Sequence, residues 1–210
     1  MDYEKLFQTV QEGMPYASYV NLNDTLTIDD YYRTDTHWRQ ERLLPAAQVL
    51  CKALGVAGPE KLTAVRREPP FYGVYYGQAA LPMEPDVLYT LENDILKACR
   101  VYNHETGKYS SVYDEEKLSG KDLYEVFLSG PVSLLTVENP NATTDRELIV
   151  FRDSFGSSMV PLLVQGYQSV TLVDIRYVPS SLLGRFLDFH GQDVLFLYSS
   201  LILNNSTMLK

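Results

Sequence analysis

The sequence predicts an α/β fold in which a mainly parallel sheet is covered on both faces. Three observations carry that expectation. From residue 132 onward, four apolar runs have strand length: "VSLLTVEN", "RELIVFRDS", "SVTLVDIRY" and "QDVLFLYSS". Two helical stretches, "SSMVPLLVQGY" and "PSSLLGRFLDFHG", lie among them. The connections are short, and buried strands alternating with helices indicate βαβ units.

The N-terminal half reads less regularly. "YEKLFQTVQEG" reads as a short helix, and Thr27 in "LNDTLTIDDYYR" is placed to cap an acidic turn. "RQERLLPAAQVLCKALG" repeats Leu43, Ala47, Leu50, Cys51 and Leu54 at helical spacing. Gly55 should end that helix, and Pro45 should distort its first turns. "EPPFYGVYYGQAALP" suggests an irregular or edge-strand segment. "DVLYTLEN" and "KACRVYNHETGKYSSVYDEE" read as strands, the second a hairpin turning at "HETGK". "GKDLYEVFLSG" reads as a short helix with a glycine stop. Residues 1–210 are expected to form a single domain, with a Tyr/Gly/Pro-rich and strand-rich insertion at about 61–128.

Bulk properties narrow the function. A net charge of −9 with a pI near 4.8 sets nucleic acid aside, since phosphate binding needs clustered Lys and Arg. Two cysteines, Cys51 and Cys99, are too few for a disulfide framework, and Cys51 should pack as a small hydrophobe. No run is long and apolar enough for a membrane helix, and the acidic, amphipathic start is unlike a signal peptide. The chain as written is expected to be soluble. Its 16 tyrosines against 8 phenylalanines suit sugar-type ligands, and equally suit a strand-rich surface.

Two short motifs carry chemistry. In "ELIVFRDSFGSSMVPLL" an apolar strand runs through Asp153 and Ser154 into a helix. A nucleophilic serine needs that strand–turn–helix context, and the helix N-terminus offers free N–H groups near Phe155 for an oxyanion. Taken alone, Asp153 or Ser154 is better read as a helix cap. In "RTDTHW", Asp35 and His37 would project to the same side of an extended segment. Asp35 could then orient the imidazole; alone, this too reads as a cap beside a surface histidine. Together the motifs supply nucleophile, base and orienting carboxylate. His104 and His190 sit in a hairpin turn and at a helix end, without a carboxylate at that offset. A metal site from Asp35, His37, Asp153 and Asp174 is the competing use, but no H-E-x-x-H motif accompanies it. No metal and no cofactor are expected.

"YYRTDTHW", "FYGVYYG", "DLYEVFLSG", "LIVFRDSFGSSMVPLL" and "VTLVDIRYV" occur in that order over roughly residues 27–205. They resemble the bacterial DHHW proteins, grouped with the alginate O-acetylation proteins in the SGNH-hydrolase superfamily. The resemblance implies a three-layer α/β/α sandwich with Ser154, His37 and Asp35 as triad, in permuted order. It departs where the family has a second His, here Thr36, and where SGNH enzymes have Gly, here Arg152.

The triad and the resemblance together imply an esterase or O-acyltransferase acting on acylated carbohydrate, with Arg176, Tyr177, Trp38 and Tyr72 at the substrate. The alternative is a non-catalytic glycan-binding or scaffold module. Expected partners are an acylated carbohydrate or polysaccharide and a membrane acyltransferase. The resemblance also implies a cell-surface or extracytoplasmic place, reached through an upstream anchor or signal.

Overall fold

The computed structural model describes residues 1–80 and 82–210; Leu81, within the Tyr- and Pro-rich segment, lies outside the described residues. The main sheet has six strands: β3 (Arg100–Asn103), β4 (Lys108–Ser110), β5 (Leu134–Glu138), β6 (Glu147–Arg152), β7 (Ser169–Val173) and β8 (Asp193–Leu197). Their spatial order is β4-β3-β5-β7-β6-β8. Strands β1 (Thr63–Arg66) and β2 (Tyr89–Glu92) form a separate antiparallel pair.

The expected three-layer sandwich with a mainly parallel sheet is corrected here. The sheet is mixed: β6 runs parallel to β7 and β8, whereas β5 is antiparallel to β7 and β3, and β3 to β4. Chain length explains why. Only residues 140–145 separate the first two apolar runs, and a parallel crossover needs a dozen residues or more. That connection carries no helix, so β5 runs against β6 and against β7, which lies between them parallel to β6.

The helices are also shorter than expected. α5 (Phe155–Met159) passes into two 3-10 turns, Val160–Leu162 and Val164–Gly166. Pro161 cannot donate to the preceding turn, and Gly166 lies so close to Val56 that a Cβ would meet its Cγ2 at 2.7 Å. The stretch expected as a helix from 179 is a 3-10 segment, Ser180–Arg185, followed by irregular chain. One face of the sheet is therefore thinly covered: Leu134, Ile149, Phe151 and Val173 meet Ile175, Leu183, Leu187 and Tyr198.

The opposite face carries the main core. Leu148 and Val150 of β6 point there while Ile149 and Phe151 point away, as the strand's period of two requires. Helix α2 (Leu44–Leu54) packs Ala46, Ala47, Leu50 and Cys51 into this core. Pro45 lies in its first turn, where a missing N–H costs no hydrogen bond, so it opens the helix rather than distorting it. Gly55 ends it at φ +66°, a left-handed conformation that favours glycine.

Helix α1 (Tyr3–Gly13) and the β3–β4 hairpin lie where the sequence puts them. The "FYGVYYG" stretch leads into a short helix, α3 (Val74–Ala79), where an irregular or edge-strand segment was expected. "DLYEVFLSG" forms a 3-10 turn, Leu123–Val126. The remaining helices are α4 (Asp94–Ala98) and α6 (Ser200–Asn204). Among the described residues no helix is long and apolar enough to cross a membrane.

Candidate functional site

Strand β6 ends at Arg152, and the chain turns through Asp153 and Ser154 into α5. Asp153 is 1% exposed and builds this turn. Its carboxylate accepts from the N–H of Phe155 at 3.0 Å and of Ser199, beyond β8, at 2.7 Å. The Phe155 N–H, on the stretch expected to serve an oxyanion, is thus engaged by Asp153. The Gly156 N–H is engaged by the Asp153 carbonyl at 3.1 Å. Among the described residues, the Ser154 N–H donates to no other group.

The segment carrying Asp35 and His37 meets this turn from the other side. His37 Nε2 lies 2.8 Å from Ser154 Oγ, and His37 Nδ1 lies 2.5 Å from Asp35 Oδ2. His37 is 8% and Asp35 2% exposed, so the Asp–His contact is shielded from water. The Asp35 carboxylate also accepts from the His37 backbone N–H at 3.1 Å and the Val74 N–H at 2.9 Å. Burial alone would push the Asp35 carboxyl up. The His37 ring and the two backbone N–H groups outweigh it and hold the carboxyl below its ordinary value.

Sequence reasoning missed most of what surrounds these three residues. The Tyr124 ring lies flat against His37, and its hydroxyl donates to Ser158 Oγ at 2.8 Å. Gln40 is wholly buried: its amide donates to the Ser158 carbonyl at 2.9 Å and accepts from the Leu91 N–H at 2.7 Å. It ties the chain after His37 to α5 and β2. Gly73 abuts Asp35 so closely that a Cβ there would lie 2.2 Å from Asp35 Cβ. Tyr124 and Gly73 lie in the family-like stretches "DLYEVFLSG" and "FYGVYYG", but a buried glutamine at position 40 left no sign in the sequence.

The remaining expected site residues differ in burial and in partners. Trp38 packs edge-on against Phe155 at 4.8 Å between ring centroids, with its Nε1 buried and unpartnered among the described residues. Tyr72, Tyr75 and Tyr76 are partly exposed on the segment that holds Asp35, and Tyr72 packs on Tyr76. Arg176 makes a two-pronged pair with the buried Asp174, at 2.9 and 2.6 Å, and its guanidinium lies over the exposed Tyr177 ring. Arg152 is buried beneath the turn, donating to Ser157 Oγ and to the carbonyls of Asp153 and Val132. Among the described residues, no cluster of His, Cys, Asp or Glu is arranged to hold a metal ion.

The model of the DHHW protein family matches residues 9–173 of the chain. Among solved structures, a DHHW family protein from Eubacterium siraeum is similar, with a TM-score of 0.67 at 23% identity, over 85% of this chain and 63% of that one. PatB1 from Bacillus cereus with a sulfonyl adduct gives a TM-score of 0.64 at 19% identity, over 87% of this chain and 66% of that one. A second structure of PatB1 gives 0.61 at 20% identity, over 83% and 64%. At these identities the likeness is one of fold, and the chain spans less than two thirds of the length of each structure. No curated protein matches the chain.

Proposed function

The chain belongs to the DHHW protein family, and from that premise we propose that it is a serine-dependent acyl-transferring enzyme. Ser154 is its nucleophile, His37 its general base and Asp35 the residue that orients His37. The observation that carries this reading is the unbroken relay from Asp35 Oδ2 through both His37 nitrogens to Ser154 Oγ.

The chemistry follows from the geometry. His37 Nε2 takes the Ser154 proton as Oγ attacks the acyl carbon of an ester. Asp35 stabilises the imidazolium so formed. The tetrahedral intermediate places negative charge on its oxygen, and the Ser154 N–H is a donor at the nucleophile with no other partner among the described residues. As the intermediate collapses, His37 returns the proton to the departing alkoxide, leaving an acyl group on Ser154. Water or a sugar hydroxyl, deprotonated by His37, then takes the acyl group. A fold neighbour, PatB1, has been solved with a sulfonyl adduct. At the level of this site we place the chain with the alginate O-acetylation proteins and the SGNH hydrolases.

The proposed substrate is an acylated carbohydrate or polysaccharide. Tyr72, Tyr75 and Tyr76 offer exposed aromatic faces beside the Asp35 segment, and such faces stack on sugar rings. Trp38, Arg176 and Tyr177 complete the proposed contact surface. The same tyrosines favour a second reading, a glycan-binding or scaffold module that presents substrate to a membrane acyltransferase. Hydrolysis of a chromogenic acetyl ester, together with mass spectrometry after an active-site-directed phosphonate, separates the two. The enzyme reading expects turnover and one phosphonate adduct, both lost in Ser154→Ala. Glycan binding with neither would leave the scaffold.

A further inference from the structure

We propose that Asp86 is a positioning residue for the Asp35–His37 pair, acting through Thr34. The inference rests on the roles proposed for Ser154, His37 and Asp35. Asp86 makes no hydrogen bond to any of these three among the described residues, yet it governs the backbone next to Asp35.

The Asp86 side chain is buried, with the whole residue 8% exposed. Its Oδ2 accepts from both the Thr34 N–H and the Thr34 hydroxyl, each at 2.7 Å. Its Oδ1 accepts from the Arg33 N–H at 3.2 Å, and the exposed Arg33 guanidinium lies 3.7 Å away. Three donors from one short segment converge on this group. A carboxylate can meet all three because it accepts at both oxygens, whereas a neutral amide must turn N–H groups toward one of them.

Asp86 is itself fixed by backbone pairing with Phe71, in both directions at 2.9 Å. The chain leaving Phe71 grips the same segment. The Gly73 N–H donates to Thr34 Oγ1 at 3.0 Å, the Tyr75 N–H to the Thr34 carbonyl at 2.9 Å, and the Val74 N–H to Asp35 itself. Every polar group of Thr34 is therefore committed, and the residue is wholly buried. Asp35 is the next residue, so the angle at which its carboxylate meets the imidazole is set by this knot. Remove the Asp86 carboxylate and Thr34 retains only the contacts from one side.

The test reads the imidazole directly. Long-range proton–nitrogen spectra of His37, recorded where the ring is neutral, should show in the wild type one tautomer with the proton on Nδ1. In Asp86→Ala that should become a mixture, with kcat on the acetyl ester falling about tenfold and KM nearly unchanged, a loss expected of an interaction that matters in the transition state. Asp86→Asn keeps an acceptor for the Thr34 pair and should restore most of the single tautomer. If Asp86→Ala does not fold, Thr34→Val removes the hydroxyl's bonds to Asp86 and Gly73 and leaves only the backbone N–H on Asp86, while keeping the side chain's shape. A folded Asp86→Ala or Thr34→Val that retains the single Nδ1–H tautomer overturns the proposal. The tautomer is read without substrate. A wild type without turnover would defeat the proposed enzyme, and the spectra would still decide the role of Asp86.

Discussion

The Tyr124 ring stacks on the His37 ring with 3.8 Å between centroids and 10° between planes. Tyr124 is buried, and its hydroxyl reaches Ser158 Oγ at 2.8 Å and the Ser154 carbonyl at 3.3 Å. One side chain thus braces the imidazole and the turn that carries Ser154. Tyr124→Phe keeps the flat face and gives up a hydrogen bond, so a stability loss of about 1 kcal/mol is expected by urea titration. Tyr124→Leu gives up the face as well. A stacked pair contributes about 1 kcal/mol beyond burial, so turnover should fall roughly fivefold below that of the Phe variant. Equal kcat in the two variants would remove the stacking from the mechanism.

Gly73 is required for proximity, not for an unusual backbone. Its N-cap conformation, φ −79°, is open to any residue. A Cβ there would lie 2.2 Å from Asp35 Cβ, 2.6 Å from Asp35 Oδ1 and 2.6 Å from the Thr34 carbonyl. Gly73→Ala must push the 33–37 and 71–75 segments apart. Overpacking of this kind costs about 1–3 kcal/mol, and here the displaced atoms belong to Asp35. Both the urea midpoint and the ester turnover should fall. A variant as active and stable as the wild type would show that the segments separate freely.

Much of the fold was legible from residue 132 onward because apolar runs of strand length declare buried strands. Their direction was not. Residues 140–145 are too few for a crossover, yet periodicity alone describes β5 and β6 in the same terms. The helix between β6 and β7 was overread because Pro161 and Gly166 break a pattern that still looks helical by its apolar spacing. Around the candidate site, Asp35 and His37 were legible as a pair because an offset of two is a local property, although the expected extended segment is instead a bend closed by the Tyr31–Trp38 bridge. Gln40, Asp86 and Tyr124 were not, because their roles depend on partners 30 or more residues away.

Cys51 and Cys99 should behave as core side chains. They are 1% and 3% exposed, and burial pushes both thiols up to about 11. The thiolate is the reactive form, so at pH 8 neither should react with a chromogenic disulfide reagent in the folded protein. Two equivalents should react in denaturant. Rapid labelling of the native protein would show that the core around α2 or near β3 opens far more readily than its packing implies.

Asp35→Asn tests the orienting carboxylate in two ways. An amide can fill the space, but its N–H groups facing Nδ1 favour the wrong imidazole tautomer, and the reference triad loses about 10⁴ in kcat this way. The same substitution removes an acid-sensitive part of the stability. Burial raises the Asp35 carboxyl, and the His37 ring with the bonds from the His37 and Val74 N–H groups lowers it by more, to a net value below the ordinary one. A carboxyl held low in the fold stabilises it above the unfolded value, about 3.9 for Asp. That contribution is lost as pH falls through the lower, folded value. The difference in urea midpoint between wild type and Asp35→Asn should therefore shrink as pH falls below about pH 5. A difference that stays constant down to the lowest pH at which the wild type is folded would mean that Asp35 is not held low. Turnover unchanged in the variant would remove Asp35 from the mechanism and leave Ser154 to be judged by its own substitution.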